Sequence, residues 1–221
     1  VVVRAGGQPL QGLEVSVADL RNEAGEVLPS ADIELYWVRY VEVRVPSQNR
    51  VTKPGWWPDP LVPTDVVPQL DVPAGQNQPV WVTVHVPASC AAGAYCGALS
   101  LRGRDGPLAQ VPIAVHVRPV SLPDRPTMRA TAALYYPGVR DWLNAHCRTE
   151  GEPYAEDSEE WAQLQRRYYE YLLRYRLCGY ELPVPLESPA ADAYLTDPRV
   201  HSFRLPWRLD EPEYFGPLVA K

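Results

Sequence analysis

Nine residues, Gly55–Pro63 (GWWPDPLVP), gather side chains suited to holding a sugar. Trp56 and Trp57 offer flat indole faces for the apolar C–H face of a pyranose, and Asp59 offers a carboxylate for its hydroxyl edge. Pro58, Pro60 and Pro63 fix φ and remove backbone donors. That excludes a helix or a central strand and predicts a stiff loop that holds both tryptophans at a surface. The same residues also have a structural reading, in which the loop folds back and its indoles plug the end of a sheet.

Other chemistries leave little trace. The sequence holds no GxSxG, P-loop or GxGxxG motif, no CxxC pair and no histidine spacing suited to zinc, so neither a metal nor a cofactor is expected. The four histidines are dispersed, and His85 and His116 fall on outward faces of strand patterns, where plain surface roles are expected. Four cysteines allow three pairings. Cys90 and Cys96 flank a glycine-containing bend and can bridge only if their Cα atoms come within about 6 Å. A Cys147–Cys178 bridge needs the segment before the main helix to fold back along it. Free, half-buried thiols are the default, which leaves the compartment open.

The 221 residues carry a net charge of −6 and are 46% hydrophobic, enough for a real core. With a pI near 5.3 and scattered basic residues, nothing offsets phosphate repulsion, so a nucleic-acid partner is excluded. No apolar run approaches the ~20 residues needed to span a bilayer. The chain opens on VVVRAGG and closes on FGPLVAK inside a helix-like pattern, so a portion of a longer protein is expected.

The elements that position these residues fall into two halves. Up to about Leu122 the apolar period is two: Leu35, Trp37, Val41, Val43 and Val45 share one face, as do Val80, Val82, Val84 and Val86, and Val111, Ile113, Val115 and Val117. Turn signals at Glu23–Gly25, Pro73–Gly75, Ala92–Gly93 and Arg104–Pro107 separate the runs. Six to eight antiparallel strands without a helix predict a β-sandwich over residues 1–122. Pro119, Pro123 and Pro126 then make a stiff linker.

Residues 123–221 change period. Met128–Tyr136 reads as a strand, and Asp157 with Glu160 as a capping box. Trp161, Leu164, Tyr168, Leu172 and Tyr175 read as one face of an amphipathic helix that Gly179 stops. An extended piece at Tyr180–Pro185, a strand at Val200–Leu205 and a helix from near Pro212 follow. This order predicts a mainly β domain followed by an incomplete α/β, TIM-barrel-like segment.

Three motifs in order, GWWPDPLVP, the hairpin VWVTVHVPASCAAGAYCGALSLR and VSLPDRP, resemble the N-terminal region of family 123 glycoside hydrolases and their uncharacterised DUF4091 relatives. The match covers most of residues 33–137. Pro87 and Gly93–Leu99 correspond to the family's Pro…GxYxGxL hairpin, and Leu122–Pro126 to the LPxxP link into its (β/α)₈ barrel. YLTDPRVHSFRLPW suits the early barrel loops.

The resemblance implies retaining hydrolysis of N-acetyl-β-hexosaminides, galactosaminides above all, with the substrate's own acetamide as nucleophile. In that chemistry an Asp-Glu pair works on the barrel's C-terminal face: Glu protonates the leaving oxygen and Asp orients the acetamide. Asp210-Glu211-Pro212 has the right letters, but its setting reads as a helix entrance with Asp210 as cap and Pro212 in the first turn. On the cap alternative the catalytic pair is not in these residues and the chain is inactive alone. Tyr135, Tyr136, Arg204 and Trp207 follow barrel strands and could touch substrate or pack a junction. The expected partners are a glycan and the rest of the barrel. The alternative function is a non-catalytic carbohydrate-binding or interaction module.

Overall fold

The structure, a computed structural model, describes residues 1–45, 53–123, 125–148 and 151–205. Contacts divide the chain into two compact units, Val1–Ser121 and Leu122–Lys221.

The first unit is mainly β. In chain order it holds β1 (Val2–Arg4), β2 (Leu10–Val17), β3 (Leu20–Arg21), β4 (Val27–Leu28), β5 (Ile33–Val43), β6 (Gly55–Pro63), β7 (Leu70–Val72), β8 (Asn77–Val84), β9 (Gly93–Gly103) and β10 (Gly106–Val117). A single 3₁₀ turn, Ser30–Asp32, leads into β5. One antiparallel sheet runs β1-β8-β5-β6; the other runs β4-β3-β9-β2-β7, with β10 also paired to β9. Both sheets feed one core, as the period-two runs predict. Ile33, Leu35 and Trp37 of β5 and Val80 of β8 meet Leu13 and Val15 of β2 and Leu99 and Leu101 of β9. Gly25 and Gly75 take φ of 84° and 74°, conformations that side chains resist, and so set two of the expected turns.

Trp37 is fully buried, and its indole N–H donates to the Val67 carbonyl at 2.8 Å. A buried polar tip is thereby satisfied while the ring fills the space between the sheets. Farther along β5 the apolar face outruns the core: Val41 is exposed, and Val45 beyond the strand is 86% exposed.

The expected GWWPDPLVP loop is instead a strand. Among the described residues β6 pairs with β5 alone, so it is an edge, the place where a strand tolerates proline. Its register sets Trp57 against Val41 and Pro58 against Tyr40, then resumes with Leu61 against Val38. Asp59 and Pro60 thus stand opposite Arg39 alone, a two-against-one bulge that absorbs the middle proline.

The second unit departs from its predicted elements in several places. Only Thr131–Ala132 (β11) of the expected Met128–Tyr136 strand is extended; Tyr136 opens a helix, α1 (Tyr136–His146), with Pro137 in its first turn. The helix α2 (Glu159–Arg174) is capped by Ser158, whose hydroxyl accepts from the Trp161 N–H at 3.2 Å, not by Asp157. Its buried residues are Trp161, which belongs to the predicted face, and Tyr169 and Leu173, each one residue past the predicted Tyr168 and Leu172. The helix stops before Gly179. Tyr175 caps it and Arg176 takes φ of 61°, while Gly179 joins Cys178 in β12 (Cys178–Gly179). β12 pairs parallel with β11, Thr131 against Cys178 and Ala132 against Gly179. A short helix, α3 (Ala191–Leu195), follows. Tyr180–Pro185 is bent rather than extended, and no strand forms at Val200–Leu205, where the backbone is irregular and His201 is buried. The expected helix near Pro212 lies outside the described residues.

Two outcomes follow. Trp37→Ala should cost about 3–5 kcal/mol, read as a lowered urea midpoint for the first unit. In the second unit the Arg199 side chain, bonded to Asp197, holds that carboxyl below its usual range. A carboxylate with a depressed folded pKa stabilises above its unfolded value and loses that contribution as pH falls through the folded one. The stability advantage of the wild type over Asp197→Asn should therefore be full at neutral pH and shrink below about pH 4 in pH-dependent unfolding.

Candidate functional site

The β5–β6 edge determines where the predicted sugar-facing residues go. Successive strand residues point to opposite faces, so Trp56 and Trp57 cannot form one coplanar platform. Both are exposed, Trp56 at 68% and Trp57 at 42%, as is Asp59. Trp57 is tied locally, its indole N–H donating to the Lys53 carbonyl at 2.8 Å.

Trp56 faces the other way. It lies opposite Glu42, diagonal to Tyr40 on the same face of the ribbon. Here a groove of about 740 Å³ opens, lined by Arg39, Tyr40, Trp56, Asp71, Asn77 and Gln78 together with the intervening 72–76 turn. Gln78 is buried, and its amide nitrogen donates to the Val38 carbonyl at 3.0 Å and the Pro79 carbonyl at 2.8 Å. Asp71 is exposed, with Oδ1 accepting from the Gly12 N–H at 2.7 Å. Among the described residues, Arg39 has no ion-pair partner. The groove thus has aromatic surface from Tyr40 and Trp56, a fixed buried amide, and exposed carboxylate, amide and guanidinium groups.

Of this lining, only Trp56 stands out in the sequence. Tyr40 belongs to the outward set of LYWVRYVEVRV, and Asp71 and Asn77 flank the Pro73–Gly75 turn, ordinary positions for polar residues. Strand pairing brings them together.

The second unit separates its own candidates. Tyr135 is exposed and, with Val139, Trp142, Leu143 and Tyr168, lines an apolar groove of about 440 Å³. Tyr136 is buried with its ring edge-on to Trp161, 6.5 Å between centroids. Its hydroxyl and that of Tyr169 are buried with no hydrogen-bond partner among the described residues. Burial pushes both phenols up; the charge of Glu181 adds to the effect at Tyr136, and Cys178 at Tyr169. Both therefore stay protonated at neutral pH. Arg204 stands over the Tyr180 ring at 5.3 Å and pairs with Glu181 at 3.5 Å. Trp207, Asp210 and Glu211 lie outside the described residues.

Cysteine and histidine chemistry finds no site here. The four cysteines are free. Cys178 is fully buried, bonded to the Arg199 carbonyl at 3.7 Å and accepting from the His201 backbone N–H at 3.3 Å, positions that suit packing rather than nucleophilic attack. His85 and His116 are exposed. Among the described residues no group of three or more His, Cys, Asp or Glu could hold a metal, and no helix is long and apolar enough to cross a membrane.

Indole exposure can be measured directly. The emission removed by Trp56→Phe should be quenched by acrylamide several-fold more strongly than the emission removed by Trp37→Phe. Equal quenching would place Trp56 in the core.

Residues 1–103 match the family described as Glycoside hydrolase 123 N-terminal domain. The match agrees with the family resemblance read from the sequence motifs, of which GWWPDPLVP and the hairpin fall within the matched residues. No curated protein matches the chain. Among solved structures, the chain is similar to a family 123 glycoside hydrolase from Clostridium perfringens, whose structure was analysed for the details of glycolipid glycan hydrolysis. The identity is 16% and the TM-score 0.61, over 77% of this chain and 29% of that one. At this identity the likeness is one of fold. The chain spans less than a third of the length of that enzyme.

Proposed function

We propose that these residues form the N-terminal portion of a glycoside hydrolase acting on N-acetyl-β-hexosaminides, galactosaminides above all, by substrate-assisted retaining hydrolysis. The observation that carries the proposal is the family 123 N-terminal domain match over residues 1–103. The parallel pairing of β11 and β12 across α1 and α2 supports reading the second unit as the opening of a (β/α)₈ barrel, since parallel strands require a helical crossover. On this reading the first unit supports the barrel.

The reaction needs two carboxyl groups with different tasks. A Glu holds a proton for the leaving oxygen, and a neighbouring Asp orients the acetamide whose carbonyl oxygen attacks the anomeric carbon. That attack breaks the glycosidic bond and leaves a cyclic oxazolinium-type intermediate, which water opens with overall retention. We assign this pair to strand ends other than β11 and β12, because neither is followed by an Asp-Glu pair: Ala133–Tyr136 follow β11, Tyr180 and Glu181 follow β12, and Glu181 pairs with Arg204. On this reading Tyr135, Tyr136 and Arg204 contribute contacts or packing at the barrel mouth.

A chromogenic N-acetyl-β-galactosaminide tests the proposal. The 221-residue chain should release no chromophore above background, and the longer protein that carries it should release it with a retained anomer. Loss of the acid in that protein should cost about 10²–10⁴ in rate. Turnover by the 221-residue chain would place the pair within it. A longer protein inert on both N-acetyl-β-galactosaminides and N-acetyl-β-glucosaminides would overturn the substrate class.

A further inference from the structure

The groove beneath Trp56 is lined by residues of the first unit, from β5, β6, β8 and the 71–76 segment. From its chemistry we infer that it is a binding site for an uncharged pyranose of a glycan. The choice of a sugar ligand rests on the glycan-acting reading above; the site itself does not depend on turnover.

Three features point to this ligand. First, Trp56 is a large aromatic residue left 68% exposed on a strand fixed by three prolines, so presenting it costs little conformational entropy. An indole face pairs with the C–H face of a pyranose, and Tyr40 widens that surface on the same side of the ribbon. Second, Asp71, Asn77 and Arg39 supply acceptors and donors around the aromatic surface, the mixture that a ring of hydroxyls, each both donor and acceptor, can satisfy. Asp71 is held through one oxygen by the Gly12 N–H, which fixes the carboxylate for a second bond. Third, the Gln78 amide is bonded to two backbone carbonyls, so the floor of the groove is set before a ligand arrives.

The charge balance decides against an acidic sugar. Asp71 sits in the same groove as Arg39, so a carboxylate-bearing residue would meet attraction and repulsion together, whereas a neutral ring meets neither. The volume of about 740 Å³ accommodates one or two pyranose rings rather than a long chain.

The opposite placement of the two tryptophans supplies the control. Trp57 is also exposed, adjacent in sequence, and on the other face of the strand. Methyl N-acetyl-β-galactosaminide and lactose should each be titrated into the 221-residue chain, with binding read by tryptophan emission and by perturbation of backbone amide resonances. Binding of at least one at a millimolar Kd is expected, with resonance shifts centred on residues 39–42, 56 and 71–78. Trp56→Ala should weaken binding at least about tenfold and Asp71→Asn by a smaller factor, while Trp57→Ala should change it by less than about twofold. Circular dichroism and Tm establish that each variant is folded. Saturable binding lost equally in Trp56→Ala and Trp57→Ala would overturn the groove assignment, as would shifts centred on the second unit. No binding of either sugar up to about 50 mM would overturn the site altogether. Tighter binding of glucuronate than of the neutral sugars would overturn the ligand class. None of these outcomes bears on whether the longer protein hydrolyses hexosaminides, so this inference and the catalytic proposal fail separately.

Discussion

The first unit depends on one buried ring. Trp37 sits at the midpoint of β5, fully buried where the two sheets share their core, and its only polar atom is satisfied by the Val67 carbonyl. That bond reaches from β5 across to the connection between β6 and β7, so it holds the edge hairpin to the core as well as filling space. β5 is in turn the strand to which both β8 and β6 are paired. The position of Trp37 therefore fixes the register of its neighbours: Val80 and Val62 oppose it on either side, and every residue farther along β6 is placed by that alignment. A slip of one residue would turn Trp56 to the other face of the strand and remove the groove's aromatic wall.

The proline-rich segment shows how a constraint on the backbone can become a means of display. An edge strand normally invites pairing with another chain. β6 carries Pro58, Pro60 and Pro63, which cannot donate to a further strand, and a bulge at Asp59–Pro60 that twists the edge. The same features keep the strand short of donors and rigid. Its aromatic side chains can then remain exposed without making the edge adhesive along its backbone, which makes exposed indoles tolerable here.

Much of the first unit was legible because its sequence is locally consistent. Alternation matches burial in β10, with Val111, Ile113, Val115 and Val117 turned inward and Pro112, Ala114 and His116 outward, and in β5 as far as Trp37. The exception was GWWPDPLVP, where proline content correctly excluded a central strand but not an edge, since edge position is a property of sheet order rather than of the segment itself. The groove was less legible still. Its residues come from β5, β6 and the 71–78 stretch, and nothing in any one of them marks the others. In the second unit, α1 is not legible in the sequence because YPGVRDWLNAH follows an extended run and contains both Pro137 and Gly138 near its start. Proline there is compatible with a first helical turn and does not break it. The cap at Ser158 displaced the one expected at Asp157 because the two residues are adjacent and equally able, so only the helix's packing chooses between them.

The two units also differ in how they are held together, and this bears on the barrel proposal. Among the described residues, the first closes a core of fourteen buried apolar residues drawn from both sheets. The second builds its buried cluster from Tyr169, Leu173 and Cys178, around a parallel ladder of two residues on each strand. Gly179 is closely covered by the Tyr169 ring, where an added Cβ would lie 2.7 Å from it, so α2 seats directly on the strand backbone as helices do on parallel strands. Yet a two-strand parallel ladder buries little, and such strands gain stability from neighbours on both edges. Among the described residues the buried hydroxyls of Tyr136 and Tyr169 have no partner, and an unsatisfied buried hydroxyl costs about 1–3 kcal/mol. On the barrel proposal, further parallel strands beside β11 and β12 would supply the burial that this short ladder lacks.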